Sequence, residues 1–384
     1  MNILFEFFDK EPLENVVTCL KYRFDKVVFF GLDGEMDKFS KNTLKNNLIK
    51  LCGVKEVEFE PLKETENDKL INAISTVVKQ EQKKGAKCFF DITGGNEAIL
   101  TALGQFAAGN NISIHKVDIN TDTVIYYAKG KYLIEQDVQK QTLKLNINKF
   151  LLLYNGKINN KMRRDFKYTL SVNEHQMINS IWNMASPNMK KWNAFSSILK
   201  ACKTDNHFDL SERLNNNDVV LHSRAPSPCS KKDFEDYLVK LCQKNIIKNL
   251  KRTNIETSFS YATDNIRSIL FDAGSILEIY YFIKYSNSNN YDDCAIGVNI
   301  IWENDEKNIV KNEIDIILLN GYLPTFISCK NGDVSPKDLY ELDTICDRFG
   351  GKYSKKELIT GMKLPEHIKM RAEEMNIAVT SFEK

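Results

Sequence analysis

Three ionisable residues interrupt runs that are otherwise apolar. Glu278 sits in GSILEIYYF, which reads as the apolar heart of a helix; Asp315 sits in NEIDIILL, inside a strand built from Ile and Leu; Lys330 closes the buried run FISCK. Burying an unpaired charge is costly, so these groups should pair with one another or with a metal ion. For any one of them alone, a structural ion network is the simpler account. Together, two carboxylates from a helix and a strand, with a lysine on the neighbouring strand, are what phosphodiester hydrolysis needs. The acids hold a divalent cation, which lowers the pKa of its water towards about 7 and polarises the phosphoryl oxygen. The lysine orients the nucleophile or stabilises developing charge.

A second group lies near the amino terminus, in the loops Asp9-Lys10-Glu11-Pro12 and Asp91-Ile92-Thr93-Gly94-Gly95-Asn96. The glycine pair permits positive φ and close backbone approach, Thr93 and Asn96 offer polar side chains, and the following helix presents free N–H groups. Such a loop suits a phosphate. It is neither a G-x-G-x-x-G nor a Walker loop, which argues against NAD and ATP. The plainer reading is a tight strand-to-helix turn in which Asn96 caps the helix.

The elements that must position these residues follow from the pattern. Strand-like runs at 2–8, 26–30, 55–60, 86–91 and 113–118 alternate with helical runs at 12–23, 39–52, 68–84 and 96–108. That alternation predicts a Rossmann-like α/β domain with a parallel sheet over residues 1–154. If the first three strands wind one way and the fourth returns beside the first, both loops meet at the topological switch. Residues 261–384 read as αβββα: a helix over 264–284, strands near 295–302, 310–319 and 323–330 with an Asn320-Gly321 hairpin turn, and a helix over 335–349. Between them, 155–260 reads as a basic, mostly helical segment with helices at 174–185, 192–201 and 232–249. The last carries Lys240, Lys244 and Lys248 at helical spacing, either a solvated face or an attraction for phosphate.

Composition limits the function classes. The 384 residues carry 53 Lys and Arg against 51 Asp and Glu, a net +2 that implies neither a nucleic-acid coat nor an acidic substrate trap. The charge is uneven: residues 161–252 hold 17 basic against 9 acidic groups, +8, leaving −6 elsewhere. Nine scattered cysteines without a C-x-x-C pair read as reduced thiols in a cytoplasmic protein. The amino-terminal apolar run is too short and too acidic for a signal peptide, and no stretch reaches membrane-spanning length.

With these residues on the page, the C-terminal set resembles the PD-(D/E)xK nuclease superfamily, Glu278 matching the helical acid, Asp315 the strand acid and Lys330 the final lysine. GSILE, NEIDIILLNG, FISCKNG and LYELDTICDRFGG are similar to one branch of it, the CARF-domain effector nucleases of type III CRISPR immunity, over roughly residues 265–360. FDITGGNEA resembles the ligand loop of CARF domains. The resemblance implies a homodimer whose CARF domains bind a cyclic oligoadenylate across the two-fold axis, through Asp9, Lys10, Thr93, Gly94, Gly95 and Asn96, and switch on the nuclease. It implies cyclic tetra-adenylate ahead of cyclic hexa-adenylate, and Mn2+ or Mg2+ held by Glu278, Asp315 and Cys329. The implied substrate is single-stranded RNA or DNA, or nicked duplex, cut in antiviral defence.

The sequence departs from the pattern in two places. Ser328 stands where an acid commonly precedes the lysine, so Glu313, on the same strand face as Asp315, or Glu341, on the next helix, supplies the missing carboxylate; loss of catalysis is the alternative. Glu97 stands where a basic residue often follows the CARF loop, so Glu97 points away or Lys10 compensates for it. Two rival functions remain: a ligand-responsive transcription regulator with a non-catalytic C-terminal domain, and an enzyme that also degrades its own activator.

Overall fold

Apolar strand runs at the amino terminus assemble into a seven-stranded sheet. The computed structural model describes every residue except 33, 64–65, 111, 129–130, 134–138, 160–169, 205–209, 303–311 and 383–384. The sheet runs Glu56–Leu62, Lys26–Leu32, Asn2–Phe7, Lys87–Asp91, Ser113–Asp118, Thr123–Ala128 and Lys131–Leu133. Its first five strands are parallel and the last two antiparallel. The strand order therefore reverses between Asn2–Phe7 and Lys87–Asp91, where the sequence places the switch. Ile3, Phe5, Phe30 and Phe90 pack on one face against Leu70 and Ile74 of helix Asn67–Lys83 and Leu103 of helix Glu97–Gly109. Leu4, Phe29 and Phe89, on the other face, belong to a core that continues through Phe150 into Ile300, Phe326 and Phe349 of the C-terminal half.

The middle segment carries the three expected helices, as Val172–Ala185, Met189–Cys202 and Lys231–Gln243, together with helix Asn216–Arg224 and the strands Ser211–Asn215, Ile247–Arg252 and Glu256–Tyr261, which the sequence pattern did not show. The three strands form an antiparallel sheet with Glu256–Tyr261 central, so helix, strand, two helices and a hairpin follow one another as in a winged helix. The lysine stripe dissolves as well. The helix ends at Gln243, Lys244 caps it, Asn245 turns the chain at φ 56°, and Lys248 lies in the next strand. Trp192 and Phe195 share a core with Ile276, Tyr281 and Ile316, so this segment packs against the C-terminal half.

The C-terminal sheet has six strands in the order Ile377–Ser381, Lys355–Thr360, Leu323–Lys330, Asn312–Asn320, Asp293–Trp302 and Gly156–Ile158. The αβββα unit is present, extended by two parallel strands on one side and by Gly156–Ile158, from the presumed linker, on the other. Asn320-Gly321 makes the hairpin, with Gly321 at φ 60°. The first helix is two helices, Asp264–Phe271 and Ser275–Ser286.

Candidate functional site

A fork between two strands creates the site. Asn312–Asn320 and Leu323–Lys330 pair from their hairpin down to Ile316 opposite Ile327, and Asp315 is the next residue. There a side chain takes over from the backbone ladder: Asp315 Oδ2 accepts the Cys329 amide at 2.6 Å and the Ser328 hydroxyl at 3.4 Å. Across the sheet, Gly297 lies between the partners of Ile314 and Ile316 with φ 58°, a left-handed kink opposite Asp315 that favours glycine. Ser328, buried, thus occupies the place of the missing acid as a hydrogen-bond donor to Asp315.

Glu278 reaches the fork because the helix breaks before it. Asp272 accepts the Gly274 amide at 3.2 Å and the Ser275 hydroxyl at 2.7 Å, and a new helix starts at Ser275. Glu278 therefore lies in a first helical turn, not mid-helix, where exposed N–H groups favour a carboxylate. Asn331 ties this break to the end of the lysine strand, donating to the Ala273 carbonyl at 2.5 Å and to Asn193 Oδ1 at 2.8 Å.

A cavity of about 260 Å³ gathers Glu278, Asp315 and Lys330, with Glu313, Ser328, Cys329, Asp338 and Glu341 also on its wall. Both proposed substitutes for the missing acid, Glu313 and Glu341, face it. The Lys330 ammonium lies 3.4 Å from Asp338 Oδ1. Burial pulls the pKa of Lys330 down, but Asp315, Asp338 and Glu341 outweigh it and hold the group above its ordinary value. Asp338 was not singled out from the sequence, although S-x-x-D after a strand signals a capping box. It caps its helix by accepting the Ser335 amide at 2.8 Å, and the Ser335 bonds and Lys330 hold its carboxyl low against the opposing effect of burial.

Five carboxylates face one lysine on this wall, an imbalance that a cation relieves. Among the described residues no three His, Cys, Asp or Glu side chains converge into a complete ion cage. The donors suit a hard ion that keeps several waters and takes one or two carboxylates, as Mg2+ does. Cys329 offers no thiolate: its side chain lies in the apolar layer with Ile316, Ile327 and Ile359, and burial, reinforced by Asp315 and Glu278, pushes the thiol well up. Only its main-chain oxygen is suited to a hard cation.

At the other end the two predicted loops touch. The Gly95 amide donates to Asp9 Oδ2 at 2.7 Å. A Cβ at Gly95, which has φ 119°, would lie 2.6 Å from the Phe7 ring, and one at Gly94 would lie 2.7 Å from Glu14 Oε2, so both positions require glycine. Asp9 and Lys10 line a cavity of about 310 Å³ of mixed character, together with Ser40, Thr43, Asn47, Phe8 and Leu44; Thr93, Gly94, Gly95 and Asn96 lie outside its wall. Thr93 is committed to the fold, donating to Asp91 at 2.6 Å and accepting the Val117 amide at 2.8 Å. Asn96 caps its helix by accepting the Ala98 amide at 3.0 Å, and Glu97 is exposed in that first turn.

Comparison with known proteins gives the same architecture. Residues 265–383 match the family model of the Card1-like endonuclease domain. The fold is similar to that of protein VC1899 from Vibrio cholerae, at 16% identity and a TM-score of 0.74, covering 99% of this chain and 94% of that one. It is also similar to Can2 from Sulfobacillus thermosulfidooxidans, solved in complex with cyclic tetra-adenylate, at 15% identity and a TM-score of 0.67, covering 99% and 95%. No curated protein matches the chain by sequence. The resemblance to CARF-domain effector nucleases read from the sequence is thereby borne out at the level of fold: an N-terminal α/β domain joined to a C-terminal endonuclease domain is the architecture of this chain.

Proposed function

We propose that this protein is a cyclic oligoadenylate-activated, metal-dependent nuclease acting on single-stranded RNA or DNA in type III CRISPR defence. The observation that carries the reading is the single cavity that brings Glu278, Asp315 and Lys330 together at the strand fork. Glu278, Asp315 and the Cys329 carbonyl would hold Mg2+ or Mn2+, with Glu313 or Glu341 supplying a further oxygen. When bound, the ion activates water and neutralises the phosphoryl oxygen. The chain's own part is positional and electrostatic. The Cys329 and Ser328 donors to Asp315 fix its carboxylate, and Lys330, held as an ammonium, stabilises charge developing on the phosphate.

The activator is proposed to bind a homodimer at the switch-point loops, with Asp9, Lys10, Gly94, Gly95 and Asn96 nearest to it. Cyclic tetra-adenylate, the ligand of the Can2 structure, is the favoured ring. A ligand on a two-fold axis shifts the protomer arrangement by its differential affinity for the two states. Replacing Asp315 by Ala and assaying cleavage of labelled single strands with cyclic tetra-adenylate and Mn2+ tests catalysis; undiminished cutting refutes the assignment.

The winged-helix topology of residues 189–261 favours a second reading, a ligand-responsive regulator that binds duplex DNA. Sequence-specific duplex binding that persists in EDTA, with no strand cleavage at any metal concentration, would support it over the nuclease.

A further inference from the structure

We infer that Trp302 is a stacking platform for an unpaired base of the nucleic acid, a binding site adjoining the cleavage cavity. The inference rests on the nuclease reading. Of the three tryptophans, Trp182 and Trp192 are 6% and 0% exposed, whereas Trp302 is 40% exposed. An indole that open is a π-surface without a place in the core, and the Arg348 guanidinium lies over it, 4.3 Å from the ring centroid.

One path through the fold places this pair close to the cavity. On helix Pro336–Phe349, Glu341, Thr344 and Arg348 are exposed and follow at i, i+3 and i+7, so one face runs from the cavity wall to the guanidinium. At 1.5 Å per residue that is about 10 Å. On the sheet, cavity-lining Glu313 pairs with Asn299, and Trp302, three residues further on that strand, turns to the other face, so the relation runs along the helix. The exposed part of the indole can therefore take a base of a strand whose phosphate lies in the cavity. Arg348 supplies positive charge for the backbone between them, where Glu278, Glu313, Asp315 and Glu341 would otherwise repel it. Stacking of this kind tolerates any base and any sugar.

The test uses the full chain carrying Asp315→Ala, in EDTA with cyclic tetra-adenylate, titrated with unlabelled (dT)12 and, separately, (U)12. We expect tryptophan emission to be quenched, because the one open indole is the one contacted. Fluorescence anisotropy of labelled strands should show Trp302→Ala weakening binding about 5- to 150-fold, with Trp302→Phe restoring most of it. Absence of quenching, equal quenching by a duplex of the same length, or unchanged affinity of Trp302→Ala overturns the proposal. So does a change in sedimentation mass of Trp302→Ala, which would make the indole a contact between copies. Hydrolysis of bis(p-nitrophenyl) phosphate by the unmodified protein tests the nuclease reading separately.

Discussion

The Tyr353 hydroxyl donates to Glu14 Oε1 at 2.5 Å, joining a turn of the endonuclease-like half to the loop that follows the first strand of the N-terminal sheet. The same turn sends the Lys352 amide to Glu11 Oε2 at 3.0 Å, and the Lys352 ammonium also meets Glu14. Glu14 in turn packs so closely on Gly94 that a Cβ there would collide with it. The turn follows helix Pro336–Phe349, which carries Asp338 and Glu341 onto the wall of the candidate site. These contacts form a short, packed route between the Gly94–Gly95 loop and that wall.

Tyr353→Phe should weaken that route without removing a group from either site. Mutations along such networks change coupling by about 0.5–2 kcal/mol, so stimulation of cleavage by cyclic tetra-adenylate should fall about 2- to 30-fold. The check is a dose–response curve for the variant beside the binding constant of the activator. Full stimulation at unchanged activator affinity would show that coupling runs elsewhere.

Lys330 sets an expectation for pH. Its pKa is raised in the fold, so the ammonium's contribution is complete below the ordinary lysine value and is lost only as pH rises through the still higher folded one. Between pH 7 and 9.5 the cleavage rate should show no descending limb from this residue. Lys330→Met should lower the rate by about 100- to 1,000-fold, as loss of a preorganised charge does. Lys330→Arg should keep more of it, because the charge remains. A descending limb near pH 8 that vanishes in Lys330→Met would assign the lysine to proton transfer instead.

Asn331 ties together two elements that flank the candidate site. Its amide donates to the Ala273 carbonyl and to Asn193, and Asn193 returns a bond to the Asn331 carbonyl at 2.6 Å. Asn331→Ala leaves two half-buried acceptors without that donor, at a cost of about 1–3 kcal/mol in urea denaturation. The cleavage rate should fall more than substrate affinity, since Glu278 loses the anchor that starts its helix. Asn331→Asp, which accepts but cannot donate, should behave like the alanine variant; wild-type stability in both would remove this role.

Much of this arrangement was legible before the structure. Continuous apolar runs such as VVFF and KCFFD mark buried parallel strands, so the strand order and the meeting of the Asp9 and Gly95 loops follow from them. Ionisable residues in apolar runs led to Glu278, Asp315 and Lys330 in one cavity. The misses have local causes. SERLN and IKNLKR are half-exposed strands whose polar residues hide the alternation, and Asn245 ends its helix in the left-handed conformation, a stop signal weaker than glycine and outweighed in the sequence by the lysine spacing. The break before Glu278 rests on Asp272 accepting two local donors, and the segment DAG contains no proline to signal it. Asn331 acts through partners distant in sequence, which no local pattern reveals, whereas the spacing of Ser335 and Asp338 was a local sign that went unused.

His115 offers a stability test confined to the N-terminal sheet. The ring is fully buried, stacked on Tyr22 at 5.6 Å and on Phe89 at 5.7 Å, and burial pushes its pKa down from 6.5 to about 3. The folded state therefore requires neutral imidazole. The stability associated with it is complete above pH 6.5 and is lost progressively as pH falls towards 3, by about 1.4 kcal/mol per unit. Asp91, its partner across the strands, works in the opposite sense. Burial raises it to about 6 despite Thr18 and Thr93, so its contribution is complete below about 4 and is lost as pH rises through 6. His115→Phe keeps an aromatic ring in the stack and removes only the imidazole, leaving Asp91 in place. Measured by urea denaturation at pH 6 and pH 5, the variant should gain about 1.4 kcal/mol on the wild type over that interval. A gap that does not change with pH would mean that the imidazole takes up its proton without opening the sheet.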